Sequence, residues 1–236
     1  MKNIIITLVL FIGISQYVSA QKHKSVIYGE VGLGFGQTLF FGNIQQELQA
    51  ALGGSFDPAI GNNLMMGFYV VPERWKGLGV GSRIHGTFGT PVSGDAGDDY
   101  VFNYYNLALS LKYYPFSQQF NRGLYTRTSI GFGQMTTKRL NEEARQYIHQ
   151  YAIGSTLTGS IGYTFPLKKS AISIEGHFEY SGRNGTVDKR GDGIRFTSGQ
   201  IGGNIIVSFY YHRVMNNSLL TVLGASVAVL LAFFNE

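Results

Sequence analysis

The stretch AISIEGHFEY, residues 171–180, alternates between two kinds of side chain. On one face of an extended chain the side chains are aliphatic or aromatic: Ile172, Ile174, Phe178 and Tyr180. On the other face they are polar or charged: Ser173, Glu175, His177 and Glu179. Because successive side chains of a β-strand point to opposite faces, this stretch predicts a strand that separates an apolar environment from a polar one.

Seven further stretches repeat this pattern: residues 26–39, 63–71, 77–89, 100–114, 123–136, 152–165 and 196–211. Their lengths, mostly about 9 to 14 residues, suit a tilted membrane crossing, which needs roughly 9–11. A soluble β-sandwich would also show alternation. However, the charged residues share a face with the glycines, whereas the opposite face is almost purely apolar and aromatic. That division favours strands that face lipid.

The eight strands must close on themselves, because hydrocarbon leaves no partner for an unpaired backbone N–H or C=O group. The sequence therefore predicts an all-β fold, an eight-stranded antiparallel up-and-down transmembrane β-barrel over residues 21–211. Three connections are short, namely 72–76, 115–122 and 166–170, and four are long, namely 40–62, 90–99, 137–151 and 181–195. Barrels of this class keep short turns in the periplasm, so we expect periplasmic chain ends and extracellular long loops.

These features together resemble the small outer-membrane β-barrel group typified by the OmpA transmembrane domain, OmpX and the opacity proteins. The resemblance covers residues 25–211 and rests on the signal sequence, the eight strands, the short Pro-bearing turns and the charged interior. It implies an outer-membrane location in a Gram-negative cell envelope, and it constrains fold far better than activity. Gln21, directly after the expected cleavage site, is similar to the first mature residue of many exported proteins of the Bacteroidota.

The two ends of the chain differ from the barrel stretches. Residues 1–20 read as a signal peptide, with Lys2 as the positive region, an apolar run over 4–14 and a small-residue cleavage site at 18–20. Residues 212–236 form a tail whose segment Ser218–Phe234 is apolar almost all round, which predicts a helix. The tail could pack on the periplasmic rim, in the bilayer or on a partner protein.

Composition excludes several classes of function. The chain has no cysteine, so disulfides and Cys-based zinc or redox sites are ruled out. The formal net charge of +5, or +4 once Lys2 is removed with the signal peptide, is scattered, which argues against a nucleic-acid surface. Gly, Tyr and Phe, at 32, 15 and 17 residues, suit a barrel with a crowded interior and aromatic girdles.

Eight ionisable side chains are predicted to point into the lumen: Glu30, Arg83, His85, Lys112, Arg127, Glu175, His177 and Glu179. In a ring of eight strands the first faces the fifth and the third faces the seventh. Glu30 should therefore approach Arg127, and Arg83 should approach Glu175 or Glu179. An interior this narrow is filled by side chains, which favours a charge-balanced plug. The alternative is a gated pore or proton path through the two histidines.

No cofactor, metal or catalytic site is predicted. Acyl chemistry on an eight-stranded barrel would need Ser, His and a carboxylate, and no Ser here has a recognisable nucleophile context. Two Asp/Gly-rich loop segments, 93–99 and 188–193, lack the spacing of a calcium loop and suit ordinary turns. Residues 43–52 could form a short amphipathic helix that caps the barrel or docks a partner. The loop with Leu140, Ala144 and Ile148 could hold a similar helical turn.

The predicted function is therefore that of a non-enzymatic structural or interaction protein, either a surface barrel or a subunit of an outer-membrane assembly such as secretion machinery. A narrow, porin-like channel is the alternative, and a membrane-embedded lipid-modifying enzyme is the third candidate. The expected partners are outer-membrane lipid and an outer-membrane protein that would bind the C-terminal tail. No nucleic-acid partner is expected.

Overall fold

The computed structural model describes residues 24–42, 45–46, 60–72, 74–93, 99–141, 146–185 and 194–214. The strands in chain order are β1 (Lys24–Phe41), β2 (Ile60–Pro72), β3 (Leu78–Ser93), β4 (Asp99–Tyr113), β5 (Gly123–Asn141), β6 (Gln146–Pro166), β7 (Ser170–Gly185) and β8 (Ile194–Val214). Each strand pairs antiparallel with the next, and β8 pairs with β1, so the sheet is a closed barrel. Over these ranges, no helix is long and apolar enough to cross a membrane.

The seam between the first and last strands is regular along its whole length, whereas the β3–β4 register shifts between Thr87 and Thr90. Its register runs without interruption from Lys24 opposite Val214 to Phe41 opposite Thr197. A ring closed in this way has no free sheet edge, so backbone groups on both sides of every strand find partners within the sheet. The predicted eight-stranded antiparallel barrel is confirmed.

The barrel has its apolar side chains on the outside. Leu33, Ile84 and Ile174 are 58–64 % exposed, and aliphatic and aromatic residues occupy the outer face of every strand. The inner face is instead buried and mostly polar or charged, with a smaller number of apolar and aromatic side chains. An exposed apolar surface of this extent would aggregate in water. An apolar exterior around a polar interior is the arrangement of transmembrane barrels in outer membranes.

The two ends of the barrel differ. Lys24, Val214 and the connections 73–77, 114–122 and 167–169 lie at one end, which we call the short-turn end. The other four connections lie at the opposite, long-loop end. There the strands are longer than the apolar pattern indicated. β5 extends to Asn141, and β6 already begins at Gln146.

The helical turn predicted around Leu140 and Ile148 is therefore wrong, because both residues lie in paired strands. Beyond the hydrocarbon, an outward side chain no longer has to be apolar, whereas backbone pairing remains favourable. The alternation signal consequently ends before the strand does.

Several sequence predictions lie outside the described residues. These are the signal peptide at 1–20, the apolar helix at 218–234 and most of the Asp/Gly-rich segments at 93–99 and 188–193. Of the predicted helix over 43–52, only Gln45 and Gln46 are described, and both are helical.

The charged lumen as candidate functional site

The structure places all eight predicted lumen residues inside the barrel, each 4 % exposed or less. They are Glu30 on β1, Arg83 and His85 on β3, Lys112 on β4, Arg127 on β5, and Glu175, His177 and Glu179 on β7. Alternation alone positions them, since every one follows the inward parity of its strand. What the structure adds is which of them touch.

Glu30 is bound by two cations from the far side of the lumen. Lys112 Nζ donates to Glu30 Oε1 at 2.5 Å, and Arg127 Nη2 approaches Glu30 Oε2 at 2.5 Å. Lys112 and Arg127 are direct neighbours in the β4–β5 register. Two like charges side by side would repel, and the carboxylate between them removes that repulsion. The contact also ties β1 to β4 and β5.

Arg127 binds a second carboxylate as well. Its Nη1 lies 3.1 Å from Glu175 Oε2, and the hydroxyl of Tyr125 donates to the same oxygen at 2.9 Å. Arg83 Nη2 is further away, 3.8 Å from Glu175 Oε1. One guanidinium therefore joins β5 to β1, which lies directly across the ring, and to β7, which lies two strands away. The fork geometry of arginine makes such a double contact possible.

Aromatic rings surround the two central cations. Lys112 Nζ lies 4.1 Å from the centroid of the Tyr125 ring and 5.4 Å from that of Tyr114. The Arg127 guanidinium carbon lies 5.5 Å from the centroid of Tyr69. Rings within about 6 Å stabilise a cation through their negative faces. Ion pairs and ring faces together replace the water that these charges have lost.

An aromatic cluster lies at the short-turn mouth of the lumen. Tyr69, Tyr114 and Tyr125 are buried there together with Phe120, whose ring centroid is 4.8 Å from that of Tyr28 and 5.1 Å from that of Tyr114. Phe120 belongs to the connection 114–122 rather than to a strand. That connection therefore folds back into the barrel, where the sequence had indicated an ordinary polar turn.

The long-loop half holds a separate polar cluster around Glu179. This carboxylate accepts hydrogen bonds from Ser181 at 2.8 Å and Asn106 at 3.1 Å, and Arg183 lies 3.8 Å away. Arg183 also lies 4.5 Å from the centroid of the Tyr104 ring. The alternative left open for Arg83 is settled by this arrangement, because Arg83 faces Glu175 and Glu179 is paired with Arg183.

Arg183 is a lumen residue that the sequence analysis missed. It is 2 % exposed and lies in β7, but it had been assigned to the loop 181–195. Ser181 and Arg183 continue the inward parity of Glu179. The apolar alternation does not continue with them, because the outward residues Gly182 and Asn184 are not apolar.

The two histidines meet across the lumen. The ring centroids of His85 and His177 are 4.9 Å apart, with the rings nearly perpendicular at 81°. Asn204 Nδ2 lies 3.3 Å from His177 Nδ1. Among the described residues, no group of three or more His, Asp or Glu side chains is placed to hold a metal ion. The arrangement is that of a polar interior in which Glu30, Glu175 and Glu179 are each paired with a cation.

Comparison with known proteins finds similarity in overall shape only. No family model matches the chain, and no curated protein matches it. Solved structures with a similar shape include Ail of Yersinia pestis, at 14 % identity over 76 % of this chain and 97 % of that one, with a TM-score of 0.45. A major outer membrane protein of Thermus thermophilus has 12 % identity over 80 % of this chain and 100 % of that one, with a TM-score of 0.46.

A third neighbour is the outer membrane protein OprG of Pseudomonas aeruginosa, with 12 % identity over 82 % of this chain and 98 % of that one, and a TM-score of 0.44. At these values the likeness carries no argument about ligands or activity. The barrel itself rests on the strand register and on the burial of its two faces.

Replacing Arg127 with Ala should destabilise the folded barrel by about 3–5 kcal/mol, because two buried carboxylates lose their shared cation. Unfolding in urea, followed by gel mobility of the folded form in detergent, measures the change. Arg122→Ala, at an exposed position in the connection 114–122, is the matched control and should change little. Equal midpoints for the two variants would show that Arg127 does not hold the lumen together.

Proposed function

We propose that this protein is a non-enzymatic outer-membrane barrel with a structural or interaction role, and that its lumen is a packed core rather than a channel. The observation that supports this most directly is the continuous contact from Glu30 through Arg127 to Glu175. These three side chains bridge the lumen from one wall to the other. An eight-stranded barrel has room for little else at the same level.

Two further features support a closed lumen. Phe120 and its neighbours fill the short-turn mouth, and the Glu179 cluster crosses the long-loop half. An ion crossing the barrel would have to separate buried ion pairs at more than one level. Breaking a buried pair leaves an uncompensated charge, which is strongly unfavourable.

The lumen chemistry also favours a role without catalysis. His85 and His177 are 2 % and 4 % exposed, so neither is accessible to lipid outside the barrel. Ser160 is opposite His177 in the β6–β7 register, but its hydroxyl has no hydrogen-bond partner among the described residues. A serine nucleophile is activated by a hydrogen bond to its base, and this pair lacks one.

If the lumen is inert, the function belongs to the two ends of the barrel. We place the short-turn end in the periplasm and the long loops outside the cell, as is usual for barrels of this class. A partner protein in the outer membrane would then bind the apolar tail, whose segment Ser218–Phe234 is the most apolar run after the signal sequence. A subunit of an outer-membrane assembly, such as secretion machinery, would carry such a tail.

The wild-type protein should show no stepwise ionic current in planar lipid bilayers. A wide-pored porin at the same protein amount provides the positive control. Phe120→Ala opens the short-turn mouth but leaves the Glu30–Arg127–Glu175 bridge, so it should remain silent as well. Regular current steps from the wild type, altered by changes at Arg83 or Arg127, would instead establish a narrow channel.

Deleting residues 216–236 should abolish recovery of an outer-membrane partner, while leaving β8, which ends at Val214, complete. Tagged full-length and truncated proteins are solubilised gently and the co-purifying proteins are compared in stoichiometry. A near-stoichiometric protein present only with the full chain is the expected result. Recovery of the same protein from both samples would assign its binding to the barrel rather than to the tail.

A further inference from the structure

Arg83 is the lumen cation whose surroundings do not match its charge. It is 2 % exposed, yet none of its side-chain nitrogens has a hydrogen-bond partner in the described part of the chain. A guanidinium has five N–H donors and is always charged in proteins. Its ion-pair contact with Glu175, at 3.8 Å, leaves all of these donors unsatisfied, and burying them in that state is strongly disfavoured.

The neighbours of Arg83 explain why its donors have no hydrogen-bond acceptor. In the register its partners are Gly67 on β2 and Ala108 on β4, and neither side chain can accept a hydrogen bond. In the described part of the chain, Arg83 has one ion-pair contact, with the carboxylate of Glu175 3.8 Å away. The other carboxylate oxygen of Glu175, Oε2, already pairs with Arg127 at 3.1 Å and accepts a hydrogen bond from the hydroxyl of Tyr125 at 2.9 Å.

The charge balance of the lumen leaves Arg83 in surplus. Among the strand residues whose side chains the structure describes, the buried Arg and Lys residues are Arg83, Lys112, Arg127 and Arg183, and the buried carboxylates are Glu30, Glu175 and Glu179. Lys112 and Arg127 are compensated by Glu30 and Glu175, and Arg183 by Glu179. With neutral histidines, one positive charge at Arg83 remains over these residues.

Two histidines beyond Arg83 and Glu175 on the same strands carry further ring nitrogens without hydrogen-bond partners. His85 and His177 lie two residues along from Arg83 and Glu175 on the same strands and point the same way, and their rings meet at 4.9 Å. Neither ring nitrogen of His85 has a hydrogen-bond partner among the described residues, and neither does Nε2 of His177. A neutral imidazole presents one N–H donor.

Glycine in the wall allows His177 to take this position. A Cβ atom at residue 202, which is the register partner of His177 on β8, would lie 2.8 Å from His177 Cε1 and would also collide with the backbone oxygen of Phe35 on β1. The backbone contact in particular requires glycine at this position. With Gly202 there, the imidazole of His177 packs directly against the backbone of β8.

We propose that one monovalent anion of about chloride size binds in the lumen between the Arg83 guanidinium and the His85–His177 pair. A single negative charge compensates the surplus at Arg83, and the guanidinium and imidazole N–H groups supply donors for it. Charge-assisted hydrogen bonds of this kind are the strong ones. A halide is favoured over a larger oxyanion because the interior of an eight-stranded barrel is narrow.

The inference deepens the proposed role of the lumen as a packed core, with the anion as one of its structural parts. It is tested apart from that role, because anion binding is measured in detergent without any current across a bilayer. A silent bilayer recording with no anion effect would overturn only this inference, and a conducting barrel with a bound anion would overturn only the proposed function.

The test compares unfolding of the full chain in sodium chloride and in sodium gluconate at equal ionic strength. Gluconate is too large to enter the site. A ligand that binds only the folded state lowers the equilibrium constant for unfolding by a factor of one plus the ratio of its concentration to its Kd. Chloride at about 100 times its Kd should therefore lower this equilibrium constant about 100-fold. The stabilisation should follow the binding curve of a single chloride site. Screening by salt does not follow such a curve, and it is the same in both salts at equal ionic strength.

Arg83→Gln should abolish the difference between chloride and gluconate. Arg74→Gln removes a cation at an exposed position of the short connection 73–77, and it should keep the full chloride effect. Crystals of the wild type grown in bromide give a second readout that needs no variant. An anomalous peak next to Arg83 and the two histidines is the expected result.

Three outcomes would overturn the inference. Equal stability of the wild type in chloride and gluconate would show that no such anion contributes. A chloride effect that survives in Arg83→Gln would place the ion elsewhere. If Arg83→Gln does not fold, the bromide crystals decide. Anomalous peaks confined to the outer surface of the barrel would then show that no anion binds beside Arg83.

Discussion

Hydrocarbon contains no hydrogen-bond partners, and the rest of this structure follows from that fact. Each backbone N–H and C=O group within the membrane has to be paired inside the protein. Eight strands meet this requirement only by closing, which is what the uninterrupted pairing of β1 with β8 achieves. Once the ring is closed, alternation divides the side chains, with apolar residues toward lipid and polar residues toward the axis.

The small number of strands then determines what the interior can be. A ring of eight has no room for a wide channel, so inward charges from opposite walls come into contact. Arg127 contacts Glu30 on β1 and Glu175 on β7, and the aromatic rings of Tyr69 and Tyr125 lie beside it. In the role we propose, this interior makes the barrel a rigid support whose function belongs to its two ends.

The sequence was sufficient for the features that depend on period and topology. Strand number, inner and outer faces, and the approach of Glu30 to Arg127 follow from alternation in a ring of known order. Features that depend on local packing could not be predicted from the sequence. The burial of Phe120 required knowledge that its connection folds back into the mouth, and the inward position of Arg183 required knowledge that β7 continues past the apolar band.

Which of two carboxylates lies next to Arg83 is another feature that depends on local packing. Glu175 and Glu179 are two residues of equal parity on one strand, so topology does not distinguish them. Arg183 pairs with Glu179, and Arg83 lies next to Glu175. Because Arg183 itself was missed, the surplus of positive charge in the lumen also became visible only in the structure.

A double-mutant cycle on Glu30 and Arg127 is the most direct test of a lumen held together by charge across its walls. Glu30→Gln, Arg127→Met and the double variant are unfolded reversibly in urea, and the coupling energy is taken from the three differences. Direct contact within one network predicts a coupling of about 2 kcal/mol. Losses that add to within about 0.5 kcal/mol, as for distant sites, would contradict the bridge.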